Sequence, residues 1–225
     1  MINSKKGFTL IELLIVIGIL AILATTVVLV LNPAQILAET RDTQRISDLA
    51  SVSSAIGLYL ATVGTGDMSV VGACATNWWA SASALVAGQQ PFNTPTTPAA
   101  SQTIVTADLR KVTGVGWVPM NFGLVSGGSP LSVLPSDPSP ITSPATVLLS
   151  GAGATLGRWY AYQCTDFPTP SYEIDANMES AKFASGGTAD VESKDGGTTA
   201  RSGATVDQTT ADLIYEVGNA AGLAL

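Results

Sequence analysis

The sequence predicts an α+β protein in which a long N-terminal helix packs on a small antiparallel sheet. Residues 8–31 form a continuous apolar run, residues 35–60 carry apolar side chains at helical spacing, and residues 172–179 alternate between apolar and polar side chains. Spacing of three to four residues is typical of helices, and a period of two is typical of half-buried strands. A helix layer on an antiparallel sheet defines the α+β class.

The first element is an apolar helix long enough to cross a membrane. Residues 8–31 number 24, and Glu12 is their only charged side chain. At about 1.5 Å per residue they span roughly 36 Å, against about 30 Å for a bilayer core. Lys5 and Lys6 precede the run and favour a cytoplasmic N-terminus. A carboxylate in lipid is costly without a partner, so Glu12 is a candidate functional residue.

The residues around Glu12 resemble a known processing signal. Residues 6–13 read KGFTLIEL, which is similar to the cleavage and methylation signature of type IV prepilins and pseudopilins. The resemblance implies a pilin-like fold, cleavage between Gly7 and Phe8 by a prepilin peptidase, and methylation of the new N-terminus at Phe8. An ordinary single-pass anchor with an incidental Glu12 is the alternative.

Cleavage would give Glu12 a partner of opposite charge. The new α-amine of Phe8 has an ordinary pKa of about 7.7 to 8.0 and is largely cationic near neutrality. Glu12 of a subunit already in a filament would attract the amine of Phe8 on the next subunit, and such a head-to-tail contact generates a helical polymer. The resemblance implies the following partners: other copies of the chain, the prepilin peptidase, the pilus assembly platform and the membrane.

We expect four segments along the chain. They are a leader that is removed (1–7), a transmembrane and filament-core helix (8–31), a kinked amphipathic stem helix (32–60), and a β-rich exterior domain with its connecting loops (61–225). Pro33 predicts the kink, because proline lacks an amide donor and disfavours helical geometry in the residue before it. The prepilin would lie in the cytoplasmic membrane and the mature protein in a cell-surface filament.

Charged side chains dominate the first turns of the stem helix. Their spacing of three and four residues favours a solvated helix face with ion pairs along it. Contacts with neighbouring subunits are the alternative, since the corresponding stem of pilin-like proteins packs among neighbours. The residues are Glu39, Arg41, Asp42, Arg45 and Asp48.

Residues 172–179 are the clearest strand. Their apolar side is expected to pack on the stem helix, and their acidic side, with Glu173 and Asp175, is expected to face water or a neighbouring subunit. Aromatic and β-branched residues predict two further strands at 158–164 and 213–217.

Two pairs of residues in the exterior domain are candidate sites. Cys74 and Cys164 are the only cysteines, and an exterior location permits a disulfide between them, with two free thiols as the alternative. Trp78 and Trp79 are adjacent in a region interpreted as a loop before a short helix near residues 80–87. Partial burial against the sheet or a subunit neighbour is the favoured interpretation of these two residues, and a surface-binding site is the alternative.

Composition argues against enzymatic and nucleic-acid functions. The chain has no His, so it cannot build a His-based nucleophile or an imidazole metal site. The net charge is −7, and loss of Lys5 and Lys6 would leave 8 basic against 17 acidic side chains. Without a basic run there is no footprint for phosphates, and nucleic acid is not an expected partner. We expect no cofactor.

No metal site is predicted either. Calcium needs six to eight converging oxygens, and the candidate acids are scattered among Gly and Thr. A flexible acidic loop is the favoured interpretation of them. These acids are Asp137, Asp190, Glu192 and Asp195.

These patterns together favour a structural subunit of a type IV pilus or related filament with no enzymatic activity. One alternative is a pseudopilin or minor pilin of a secretion or DNA-uptake system. Another is an adhesin that the filament displays through the Trp78–Trp79 region.

Overall fold

The structure is a computed structural model. It describes residues 7–64, 68–70, 74, 77–82, 100–101, 107–139, 159–166, 168–195 and 214–219. The chain divides into two compact units, Met1–Ala38 and Glu39–Leu225. The predicted division of the chain at residues 31 and 60 stays a prediction.

Two consecutive helices occupy the N-terminal part of the chain. Helix α1 spans Leu10–Leu31 and helix α2 spans Pro33–Val63. Asn32 separates them with a left-handed backbone at φ 39°, and its carbonyl accepts the N–H of Gln35 at 3.0 Å. Pro33 is the first residue of α2, where its missing N–H costs no hydrogen bond. The predicted interruption is confirmed.

The sheet has five strands in the order β2-β1-β3-β4-β5. Strand β2 pairs parallel with β1, and the other three pairings are antiparallel. The α+β prediction is confirmed. Three strands match the predicted ones with small shifts in their ends, whereas β1 and β2 were not predicted. The strands are β1 Asn77–Ala80, β2 Ala100–Ser101, β3 Ala161–Thr165, β4 Ser171–Ala176 and β5 Tyr215–Gly218.

The short helix expected near residues 80–87 is not present where the structure describes that region. Ala80 ends β1, and residues 81 and 82 are not helical. The remaining residues, 83–87, lie outside the described residues.

One face of the sheet forms the hydrophobic core with α2. Apolar and aromatic side chains of β3 and β4 lie in one buried cluster with those of the helix, and this is the apolar side that the alternation in residues 172–179 predicted. Burying such surface is the main favourable contribution to folding. The sheet contributes Tyr162, Cys164, Tyr172, Ile174 and Ala176, and the helix contributes Leu49, Val52, Ala55, Ile56 and Tyr59.

A disulfide joins Cys74 to Cys164, so it ties the chain ahead of β1 to β3. The two cysteines are separated by 90 residues in sequence. Closing a loop of that length stabilises a fold by about 4 to 5 kcal/mol in the chain-entropy account, which is an upper figure. The disulfide that the two cysteines suggested is therefore present, in the core.

Candidate functional site

The N-terminus of α1 is closed by a reciprocal capping box between Thr9 and Glu12. The Glu12 carboxylate accepts the Thr9 N–H at 2.9 Å and the Thr9 hydroxyl at 2.8 Å, and the Thr9 hydroxyl accepts the Glu12 N–H at 3.3 Å. A capping box satisfies backbone donors that the first turn of a helix leaves without partners. Glu12 thus has an intrachain partner in Thr9, and its pairing with a neighbouring subunit stays a prediction.

The Gly7–Phe8 junction lies just before this cap and is accessible. Phe8 is 84% exposed. A side chain placed on Gly7 would meet no atom within 4 Å. The bond that the sequence pattern marks for cleavage is therefore in reach of an enzyme. Whether it is cut stays a prediction.

Helix α1 exposes its apolar side chains all around the helix. Its described side chains are exposed at every position of Leu10–Val28, for example Leu13, Leu20 and Val28. A helix that is apolar on all sides is stable only in lipid or inside a bundle of other helices. Exposed apolar surface of this extent marks a membrane or protein contact.

Two helices meet the length and hydropathy expected of a membrane span. They are residues Leu10–Val28, with mean hydropathy 2.7 and none of the span buried in the protein, and Pro33–Val63, with mean hydropathy 1.4 and 28% buried. The second is the helix that forms the core with the sheet, so its hydropathy is explained by that packing. The first is consistent with membrane anchoring.

The stem-helix charges do not form a solvated face, and that prediction is wrong for Asp42 and Arg45. Both are fully buried. Arg45 makes a bidentate ion pair with Asp137 at 2.8 and 2.9 Å and a second pair with Asp42 at 2.6 Å. The Asp42 carboxylate also accepts the N–H groups of Glu179 and Ser180 at 2.9 and 2.7 Å.

These contacts hold α2 to two segments distant in sequence, and we call the buried residues Asp42, Arg45 and Asp137 the buried ion-pair cluster. Burial lowers the pKa of Arg45, but the hydrogen bonds that Arg45 donates to Asp137 and Asp42, together with the negative charges of these carboxylates, outweigh it and raise that pKa above its ordinary value. Arg45 therefore stays charged. Helical spacing identified the charges on α2 but not Asp137, whose position depends on the tertiary fold.

The acidic side of β4 is also buried, so its expected exposure to water or to a neighbour is wrong. Glu173, Asp175 and Glu216 of β5 are at most 2% exposed. Burial, reinforced by the charges of Glu173 and Glu216, raises the pKa of Asp175 well above its ordinary value. Alternation correctly placed Glu173 and Asp175 on one face. The alternation cannot show whether residues that follow β4 in the sequence cover that face.

The acids considered for calcium are occupied by other contacts. Asp137 belongs to the buried ion-pair cluster. Asp190 accepts the N–H groups of Gly186 and Ser193 at 2.8 and 3.0 Å and also bonds the Ser193 hydroxyl. Two more carboxylates accept backbone N–H groups in the same part of the chain, Glu192 from Met178 and Ser185, and Asp195 from Glu216.

Trp78 and Trp79 lie in a strand and not in a loop, so the loop interpretation is wrong, whereas their favoured burial is confirmed and the alternative of a surface site is not. Both belong to β1 and are 1% exposed. Trp78 stacks on Trp159 with ring centroids 5.7 Å apart, and Trp79 lies against Tyr162 at 5.9 Å. Their large apolar surfaces are used inside the fold, which leaves no face for a ligand from solvent.

Comparison with known proteins identifies the N-terminal segment. Residues 2–28 match the family described as the prokaryotic N-terminal methylation motif. No curated protein and no solved structure matches the chain. The matched residues contain the Gly7–Phe8 junction, the capping box and most of α1. The motif indicates a structural protein that a prepilin peptidase processes for polymerisation, and the chain carries the signature of type IV pilins and pseudopilins.

Proposed function

We propose that the chain is a structural subunit of a type IV pilus or a related filament. It is made as a prepilin, cut between Gly7 and Phe8, methylated at Phe8, and polymerised through α1. The observation that carries the proposal is the combination of the methylation motif with a helix whose apolar side chains are exposed throughout Leu10–Val28.

The exposed apolar surface of α1 suits two environments, the membrane before assembly and a bundle of subunit helices after it. With 22 residues it is about 33 Å long, enough for the bilayer core that would hold the prepilin. On leaving the membrane the same surface needs another apolar environment, because exposing it to water is unfavourable. Helices of neighbouring subunits would provide that environment. Head-to-tail packing of identical helices produces an open helical filament.

Glu12 would change partners during assembly. Before cleavage its carboxylate caps α1 through Thr9. After cleavage a cationic α-amine is available at Phe8, one residue before Thr9. Inside a bundle of apolar helices an unpaired carboxylate is costly, so pairing with the amine of an adjacent subunit would set the register of the filament.

Substitutions at Glu12 separate the capping role from the charge role. Glutamine also serves in a capping box but has no charge. We expect Glu12→Gln and Glu12→Ala both to be inserted and cleaved normally, and both to reduce filament yield at least about tenfold, measured by immunoblot of filaments sheared from cells.

Thr9→Ala is the matched control, because it removes the capping hydroxyl and keeps the charge. Loss of a cap destabilises a helix by about 1 kcal/mol, so this variant should retain most of the filament yield. Wild-type yield from Glu12→Gln would show that capping suffices and would contradict charge pairing.

A further inference from the structure

Three buried carboxyl groups meet on the sheet face that lies opposite the hydrophobic core. Glu173 and Asp175 alternate along β4 with the core residues, and Glu216 belongs to β5. One oxygen from each lies no more than 4.8 Å from the others. The antiparallel register places Asp175 directly opposite Glu216. Like charges at opposed positions destabilise a sheet, so three ionised carboxylates on this face would be unfavourable.

Among the described residues, no donor contacts the Asp175 side chain. Both of its oxygens are buried and accept no hydrogen bond, and Asp175 takes part in none of the ion pairs found there. Its opposite residue on β3 is Ala161, which has no polar side-chain atom. A buried carboxylate that is ionised normally has a cation or several donors around it. The surroundings of Asp175 therefore suit a neutral carboxyl group.

The Glu173 side chain is the partner that a neutral Asp175 requires. The two side chains are hydrogen-bonded to each other. Two carboxyl groups form such a bond only when one of them carries a proton, because an ionised carboxylate has no hydrogen to donate. Since Asp175 receives no N–H or O–H from another residue, it is the member of the pair that holds the proton and donates to Glu173.

The charged groups around Asp175 act in the same direction. Glu216 faces it from β5, and Asp195 lies close enough to act on it from the chain that precedes β5. Strand β3, on the other side of β4, contains no charged residue. Burial and the negative charges of Glu173, Glu216 and Asp195 raise the pKa of Asp175 well above its ordinary value. Geometry and charge thus both favour the protonated form.

We propose that Asp175 and Glu173 share one proton, and that this proton holds the edge strand β5 on β4 and is released as the pH rises. With the proton in place, a neutral Asp175 lies opposite Glu216. Once the proton leaves, two negative charges face each other directly across the β4–β5 pair. Strand β5 is the last strand in the sheet order and its neighbour is β4, so β5 is the element that separates first. This property is independent of the filament role of α1.

The sign of the pH dependence follows from the raised pKa. In the unfolded chain Asp175 loses its proton near the ordinary aspartate pKa of 3.8, whereas the folded chain keeps it until the pH reaches the raised value. Over that interval the folded state binds one proton more than the unfolded state, so stability falls as the pH rises. The chain has no His, so no imidazole contributes to this dependence near neutrality.

Urea unfolding of the full-length protein in detergent micelles, from about pH 5 to about pH 8, tests the proposal. Asp175→Asn removes the proton, because asparagine has the shape of a neutral aspartic acid and an N–H to donate to Glu173. The equilibrium constant for unfolding should rise about tenfold more per pH unit in the wild type than in this variant. Asp166→Asn is the matched control, since it changes an exposed acid next to β3, and it should keep the wild-type slope.

The wild type alone provides two direct readouts. Its infrared spectrum at neutral pH should contain the carbonyl band of a buried, protonated carboxyl group, and isotope labelling of aspartate should shift that band. At alkaline pH the backbone amides of β5 should exchange their hydrogens faster relative to those of β3 in the same sample. Absence of the band, or equal slopes in the wild type and Asp175→Asn, would overturn the shared proton. Equal loss of protection in β3 and β5 would overturn the role of the proton in holding β5.

Discussion

Helix α1 and the exterior domain use polar and apolar side chains in opposite ways. In α1 the apolar side chains are exposed and the one charged residue, Glu12, closes the helix end. In the unit Glu39–Leu225 the apolar side chains of α2 and the sheet are buried together, and charged residues such as Arg45 and Asp175 are buried as well.

The difference shows which side chains find their contacts within a single chain. Arg45 has its partners inside the domain, so its charge contributes to the fold of a single subunit. The described side chains of Leu10–Val28 are exposed, and an apolar surface of this kind is typical of a contact with lipid or with other protein. Stability of the exterior domain and assembly of the filament should therefore respond to different substitutions.

Removal of Arg45 should cause the largest loss of stability in the unit Glu39–Leu225, which contains α2 from Glu39 onward and the exterior domain. Arg45→Met would leave Asp42 and Asp137 buried without their cation, which costs about 3 to 5 kcal/mol. Arg41→Met is the matched control, because the Arg41–Glu179 pair is partly exposed and such pairs contribute at most about 1 kcal/mol. Urea unfolding in detergent micelles measures both.

Tryptophan fluorescence is a suitable signal for that experiment. All four tryptophans, Trp78, Trp79, Trp117 and Trp159, are buried in the exterior domain. Equal losses of stability in Arg45→Met and Arg41→Met would contradict the distinction between the buried ion-pair cluster and the partly exposed Arg41–Glu179 pair.

A pair of identical substitutions compares the two regions directly. Leu49 is fully buried in the core, whereas Leu20 of α1 is 57% exposed. Leu49→Ala should lower the free energy of unfolding by about 2 to 5 kcal/mol, because it leaves a cavity. Leu20→Ala should leave the unfolding of the exterior domain unchanged and reduce filament yield instead. A loss of domain stability in Leu20→Ala would show that α1 contributes to the core.

Local patterns in the sequence predicted much of the fold. The apolar run, Pro33 and the alternation in residues 172–179 led to α1, the break at Asn32 and the strand β4. Each depends on neighbours within a few residues, which sequence patterns report well. Strand β1 was missed because its four residues, Asn77–Ala80, show no alternation between apolar and polar side chains.

Contacts between distant residues were not predictable in this way. Arg45 and Asp137 are 92 residues apart, and helical spacing gave no sign that they pair. Glu173 and Asp175 were placed on the correct face of β4, but whether that face is covered depends on chain that follows the strand. Glu216 of β5, which the register places opposite Asp175, belongs to that later chain.

The mass of the subunit in assembled filaments tests the central claim most directly. Filaments sheared from cells and examined by intact-protein mass spectrometry should contain this chain as a principal component, with the mass of residues 8–225 plus one methyl group. A filament subunit that begins at Met1, or filaments from which this chain is absent, would contradict the proposed processing and assembly.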